Sequence, residues 1–136
     1  MATVRLWTDD EAEKDPAVKT VFDDIRRVRR SGFINNFWRA LANDAASLKR
    51  TWESLKAIMG GDGPLDPLTR ELIYIAVSTA HGCSYCIHSH TAAAKQKGMT
   101  EAQHMQLVAI IGMASETNAL VTAMGVPVDR EFLVGD

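Results

Sequence analysis

Asp66-Pro67-Leu-Thr-Arg-Glu71-Leu-Ile-Tyr-Ile-Ala-Val-Ser-Thr-Ala80-His81-Gly82-Cys83-Ser-Tyr-Cys86-Ile-His-Ser-His90 is the stretch whose reading decides the fold. Its first half is apolar at Leu72, Ile73, Ile75, Ala76 and Val77. Taken alone, such a run reads equally as a buried strand or a buried helix. Asp66 before Pro67 settles it: an aspartate N-cap followed by proline at the first helical position is a helix start. The length to about Ala80, with Glu71 inside, agrees with a helix that is buried nearly all round. His81-Gly82 breaks that helix. A second one begins near Cys83 and runs to Lys97, with Gly98 as its stop.

Outward from this pair the same punctuation recurs. Asp15-Pro16 opens a helix carrying Val18, Val21, Phe22, Ile25 and Val28 at helical spacing, and Ser31-Gly32 ends it. Phe37, Trp38, Ala40 and Leu41 make a brief helix. Asn43 or Asp44 caps the next, which runs to Met59 with Leu48, Trp52, Leu55, Ile58 and Met59 inward. Gly60-Gly61-Asp62-Gly63-Pro64 is the clearest loop. Thr100 and Gln103 form a capping box ahead of a long helix through Met105, Val108, Ile111 and Leu120, closed by Gly125-Val126-Pro127. Phe22, Phe37, Trp38 and Trp52 fall on inward faces, where aromatics pack the core. With no alternating strand pattern, repeat or linker, the expectation is all-α: a single domain over 1–136, a bundle of about six helices.

The composition is that of a soluble globular protein, with 46% hydrophobic and 24% charged residues in a chain of 136. A net charge of −2 points to neither nucleic acid nor an anionic membrane. The one basic cluster, Arg26-Arg27-Val28-Arg29-Arg30, reads as a solvated helix face. The N-terminus lacks the apolar region of a secretory signal and no apolar run approaches 18 residues, so a cytoplasmic address without a membrane span is expected.

Cys83 and Cys86 are the only two cysteines. In a reducing compartment a closely spaced pair is more often catalytic or metal-binding than structural. On a helix Cys83, Cys86 and His90 share one face. Cys83 opens the helix, where unpaired N–H groups favour negative charge. Cys86 faces His90 one turn on, and an imidazole there takes the thiol proton or stabilises the thiolate. Cys86 is therefore the candidate for attack and Cys83 for the resolving thiol; the reverse stays open, because the helix end favours Cys83. Glu71 lies past the capping-box position, so capping does not account for it. It is either exposed at the helix mouth or buried with a partner, for which His90 is chemically suited. Zinc is the rival for these residues, but no second cysteine pair completes a tetrahedral set. Haem attachment fails because Ile87 follows Cys86. A thioredoxin fold fails because a helix precedes the pair. His81, His88 and His104 read as ordinary solvent-side or loop residues, and Tyr85 as a packing residue.

Glu71, eleven intervening residues, Cys83-x-x-Cys86, three residues and His90 together resemble the AhpD-like alkylhydroperoxidases of the carboxymuconolactone decarboxylase superfamily. Leu65–Leu72, Ala76-Val77-Ser78, Gly32–Asn36 and Arg39–Ala42 resemble family segments too, so the likeness covers roughly residues 20 to 115. Tyr85 stands where the family's namesake has histidine, and His81 where many relatives have asparagine. The resemblance implies an all-α fold, a homo-oligomer (trimer or hexamer), and a Glu71–His90 proton relay to Cys83 and Cys86. It implies a thiol peroxidase or disulfide oxidoreductase acting on a hydroperoxide, re-reduced by an external dithiol or thiol protein, with no organic cofactor or metal. The alternatives are a redox sensor or electron-passing adaptor using the same disulfide, and the lactone or decarboxylase chemistry of the superfamily.

Overall fold

A computed structural model describes residues 1–133 and Gly135. Among the described residues there are seven α-helices and no strand: α1 (Asp9–Glu13), α2 (Pro16–Arg29), α3 (Asn36–Leu41), α4 (Ala45–Met59), α5 (Pro67–Ala80), α6 (Ser84–Gln96) and α7 (Glu101–Met124), then a 3₁₀ turn at Arg130–Phe132. The all-α expectation stands, with one helix more than the count read from sequence. The addition is α1, five residues started by a Thr8–Glu11 capping box. Contacts divide the chain into two compact units, Met1–Gly61 and Asp62–Asp136.

In the first unit Asp15 and Asp44 cap α2 and α4 as expected, each accepting two backbone N–H groups. Val18, Phe22 and Ile25 of α2, Trp38 of α3, and Leu48 and Trp52 of α4 form one buried cluster. Trp38 and Trp52 meet edge to face, with ring centroids 5.5 Å apart. Asp24 receives the Trp52 indole N–H and the Lys56 ammonium, each at 2.7 Å. The hydrogen bonds from Lys56, Trp52 and Arg27 hold the Asp24 carboxyl well below the usual range. The arginine cluster is more engaged than a solvated face: Arg26 pairs with Asp9 and Asp23, and Arg27 with Asp24. The α2 stop also differs. Arg30 itself takes the left-handed conformation at φ 51°, one residue before the expected Ser31-Gly32. Phe37 and Ile58, expected inward, are exposed.

In the second unit α5 packs along α6 and also against α7. Asp66 caps α5 through the Thr69 N–H, and the Thr100–Gln103 capping box starts α7. The core is Ile75, Ala94, Met99 and Leu107, flanked by Leu68, Leu72, Ala76 and Ile111. One correction follows. Helix α5 is not buried all round, since Ile73 and Val77 face solvent. On α7, Met105, Val108 and Leu120 are exposed, while Leu107 is the buried residue. By length and composition α7 is also apolar enough to cross a membrane, at mean hydropathy 1.5 over 18 residues, and that window is wholly unburied. The reading that no apolar run approaches this length missed it, because Ser115, Glu116, Thr117 and Asn118 interrupt the run while the helix stays apolar on average.

Candidate active site

Helix α5 ends in a tight turn that delivers the first cysteine. The Cys83 N–H reaches back to the Ser78 carbonyl at 2.9 Å and the Gly82 N–H to Thr79 at 3.1 Å. This is the paired closure of a Schellman turn, which needs a left-handed residue; Gly82 supplies it at φ 67°. Cys83 is thus the last partner of α5 and the N-cap of α6, where its Sγ accepts the Cys86 N–H at 3.2 Å. The next Schellman turn, with Gly98 at φ 93°, ends α6 and leaves Lys97 at its C-cap.

Two helix faces carry the remaining groups. On α5, Glu71, Ile75 and Ser78 lie at helical spacing and are buried. On α6, Cys86, His90, Ala94 and Lys97 follow at intervals of four, four and three, one stripe of one face. Cys83 and Cys86 are joined as a disulfide, with Cα atoms 5.3 Å apart. Glu71 is only 3% exposed, which decides between its two sequence readings in favour of the buried, partnered carboxylate. Its Oε2 lies 2.7 Å from His90 Nδ1, and its Oε1 accepts a hydrogen bond from Lys97 Nζ. Burial pushes the Glu71 carboxyl up; the hydrogen bonds from His90 and Lys97 outweigh that and hold it below its usual value.

An ionised carboxylate only accepts hydrogen bonds, so His90 donates from Nδ1 and keeps Nε2 for a proton from elsewhere. The ring plane is fixed by Tyr74, one turn after Glu71, which stacks on it at a centroid distance of 3.6 Å and 20° between planes. The arrangement is an imidazole held by a carboxylate and an aromatic face, on the same helix as the Cys83–Cys86 disulfide. Such a set supports proton transfer coupled to thiol–disulfide chemistry.

Residues 45–129 match the carboxymuconolactone decarboxylase family. The chain belongs to that family. Within the family it is AhpD-like: it is 67% identical to the crystallised alkylhydroperoxidase AhpD core from Rhodospirillum rubrum, covering 99% of each chain at a TM-score of 0.98. It is also 33% identical over 85 residues to "uncharacterized protein 4 in cox locus" of Paracoccus denitrificans, covering 62% of this chain and 73% of that one. The family match begins later than the likeness read from sequence and ends beyond it: Gly32–Asn36 and Arg39–Ala42 lie outside 45–129. The AhpD-like fold and a redox role at the level of the family follow from these likenesses and the disulfide.

The structure brings Glu71 to His90 and Cys83 to Cys86. His81 and His88 are exposed, and His88 donates from Nδ1 to the Ser84 carbonyl at 2.8 Å. Among the described residues no group of three or more His, Cys, Asp or Glu side chains is arranged to hold a metal ion. Sequence reasoning missed Lys97 and Tyr74. Tyr74 carried a signal, since it lies three residues after Glu71 and so on the same face. Lys97 carried a weaker one, seven residues after His90, and read only as a helix end.

Proposed function

We propose that this AhpD-like chain is a thiol-dependent peroxidase whose cycle runs through Cys83 and Cys86, with His90 and Glu71 as its proton relay. The observation that carries the reading is the 2.7 Å hydrogen bond from His90 Nδ1 to a buried Glu71, which leaves Nε2 as the proton-accepting nitrogen of a ring one helical turn after Cys86. His90 takes the Cys86 proton. The thiolate attacks the hydroxyl oxygen of a hydroperoxide and the O–O bond breaks. Cys86 becomes a sulfenic acid, and the alkoxide leaves as the alcohol with the proton returned by His90. Cys83, its sulfur at a helix N-terminus, then attacks Cys86 Sγ. The S–O bond breaks, water leaves with the Cys83 proton, and the disulfide forms. An external dithiol or thiol protein returns the two electrons by exchange.

The test is hydroperoxide consumption by the reduced protein with a supplied dithiol. Turnover abolished by Cys86→Ser is expected. Rapid dithiol exchange without peroxide turnover would support the electron-passing adaptor instead. Lactone or decarboxylase activity that survives loss of both cysteines would support the other chemistry of the superfamily.

The working form in this reading is a homo-oligomer. Met105, Val108, Ile110, Met113, Leu120 and Val121 are exposed along α7, a run of large apolar side chains of the kind that marks an interaction surface. Further copies of the chain suit it better than lipid, because Glu116 and Asn118 sit midway along the exposed half and a charge at bilayer depth is costly. Light scattering is expected to return a multiple of 14.9 kDa. A monomer at micromolar concentration, or co-sedimentation with neutral lipid vesicles, would overturn it.

A further inference from the structure

The relay has a third charged member. Lys97 closes α6 as its C-cap, where its charge alone would suit the helix end, yet its Nζ donates to Glu71 Oε1. The carboxylate is thereby shared between two donors, Oε1 to Lys97 and Oε2 to His90. Lys97 is also the more exposed of the two partners, with 35% of its side chain accessible against 18% for His90.

The charge count shows what this does. With His90 neutral, Glu71 and Lys97 cancel and the buried site carries no net charge. With His90 protonated, the site carries one positive charge. Without Lys97, the neutral-His90 state would leave a buried carboxylate with no cation, and only imidazolium would relieve it. We infer that Lys97 is a positioning residue that balances Glu71, so that His90 gains and gives up its proton within one catalytic cycle and does not stay locked as imidazolium. The inference rests on the relay proposed above, in which His90 takes the Cys86 proton and then returns it to the leaving alkoxide. The groups in contact with His90 are Glu71 and Tyr74 from α5; on its own helix Cys86 lies one turn before it and Lys97 meets it only through Glu71, and no side chain of α7, which packs on α5, pairs with Glu71 or His90 among the described residues.

Lys97 and Glu71 should therefore act on the thiol with opposite sign. Glu71 favours imidazolium and so favours thiolate; Lys97 opposes both. In the reduced Cys83→Ser background, thiolate absorbance followed against pH reads Cys86 directly. Lys97→Met is expected to bring the thiolate in about one pH unit lower, on the scale of a neighbouring charge. Glu71→Gln is expected to bring it in higher. Lys97→Gln, which keeps a donor to Glu71 without the charge, should behave like Lys97→Met, and Lys97→Arg like the parent. In the Glu71→Gln protein, Lys97→Met should lose most of its effect.

A merely structural lysine would lower thermal stability and leave the thiolate curve where it was, and that result overturns the inference. A Lys97→Met shift in the same direction as Glu71→Gln also overturns it, because Lys97 would then be needed to keep Glu71 ionised. If neither Glu71→Gln nor His90→Phe moves the curve, the relay itself fails, and that failure is separable from one confined to Lys97.

Discussion

The Met1–Gly61 unit closes ten buried apolar side chains into one aromatic-rich cluster; among the described residues the Asp62–Asp136 unit buries four in its cluster and a carboxylate as well. The difference is one of purpose. In the first unit the polar groups tie the frame together, as Asp24 does by taking Trp52 and Lys56 in the lee of the core. In the second, burial is spent on Glu71, a group that costs stability unless partnered, and its partners are Lys97 and His90, the proton carrier of the proposed relay. Stability and reactivity are drawn from different stretches of the chain.

Removing a core aromatic should break the comparison hardest. Trp52→Ala takes away an edge-to-face partner of Trp38 and a donor to Asp24, and large-to-small changes of this kind cost about 3–5 kcal/mol. Denaturant unfolding should show that loss, with the reduced protein's thiolate titration unmoved under conditions where it stays folded. A thiolate curve that shifts in the folded variant would mean the first unit tunes the chemistry. The next effect lies in the second unit. His90→Phe should keep the fold and lower peroxide turnover by about 10²-fold or more, the usual range of a general base. An unfolded variant with a normal Trp52→Ala protein would reverse the division.

Capping and turn chemistry explain how much of this was legible beforehand. Asp15-Pro16, Asp66-Pro67, Thr100 with Gln103, and the glycines at 82 and 98 act within a few residues, so the sequence displays them directly. The spacing from Glu71 to His90 could be read for the same reason: one short turn joins the two helices. What failed was the inward face. Phe37, Ile58, Ile73 and Val77 are apolar, and helical periodicity says nothing of what covers an apolar side chain. Helix α7 carries apolar residues on more than one face, so no single face stands out in its pattern. Lys97 was hidden differently, because its partner lies 26 residues away and only the packing of α5 on α6 brings the two together. Helix α1 did show its Thr8–Glu11 box, but no apolar run follows to mark it as a helix.

A smaller effect sharpens the comparison by pH. Asp24 and Glu71 both titrate lower in the folded chain than their ordinary values. The stabilisation each gives is therefore complete above the unfolded value, about 4, and is lost as pH falls through the folded value. Burial works against Glu71, whereas the hydrogen bonds to Asp24 hold it far lower. On acidification, amide hydrogen exchange should accelerate in α5 and α6 before it does in α2 and α4. Simultaneous loss in both pairs would show that one cooperative unit, not two carboxyl sites, governs acid stability.

Intact mass decides most directly whether this is a peroxide-driven dithiol site. The reduced protein, mixed with one equivalent of an organic hydroperoxide, should lose two hydrogens at monomer mass with one alcohol released per disulfide, and a dithiol should restore the starting mass. The Cys83→Ser protein should stop at a sulfenic acid on Cys86. An unchanged mass, disulfide-linked dimers alone, or a sulfenic acid trapped on Cys83 but never on Cys86 would contradict the cycle proposed for this pair.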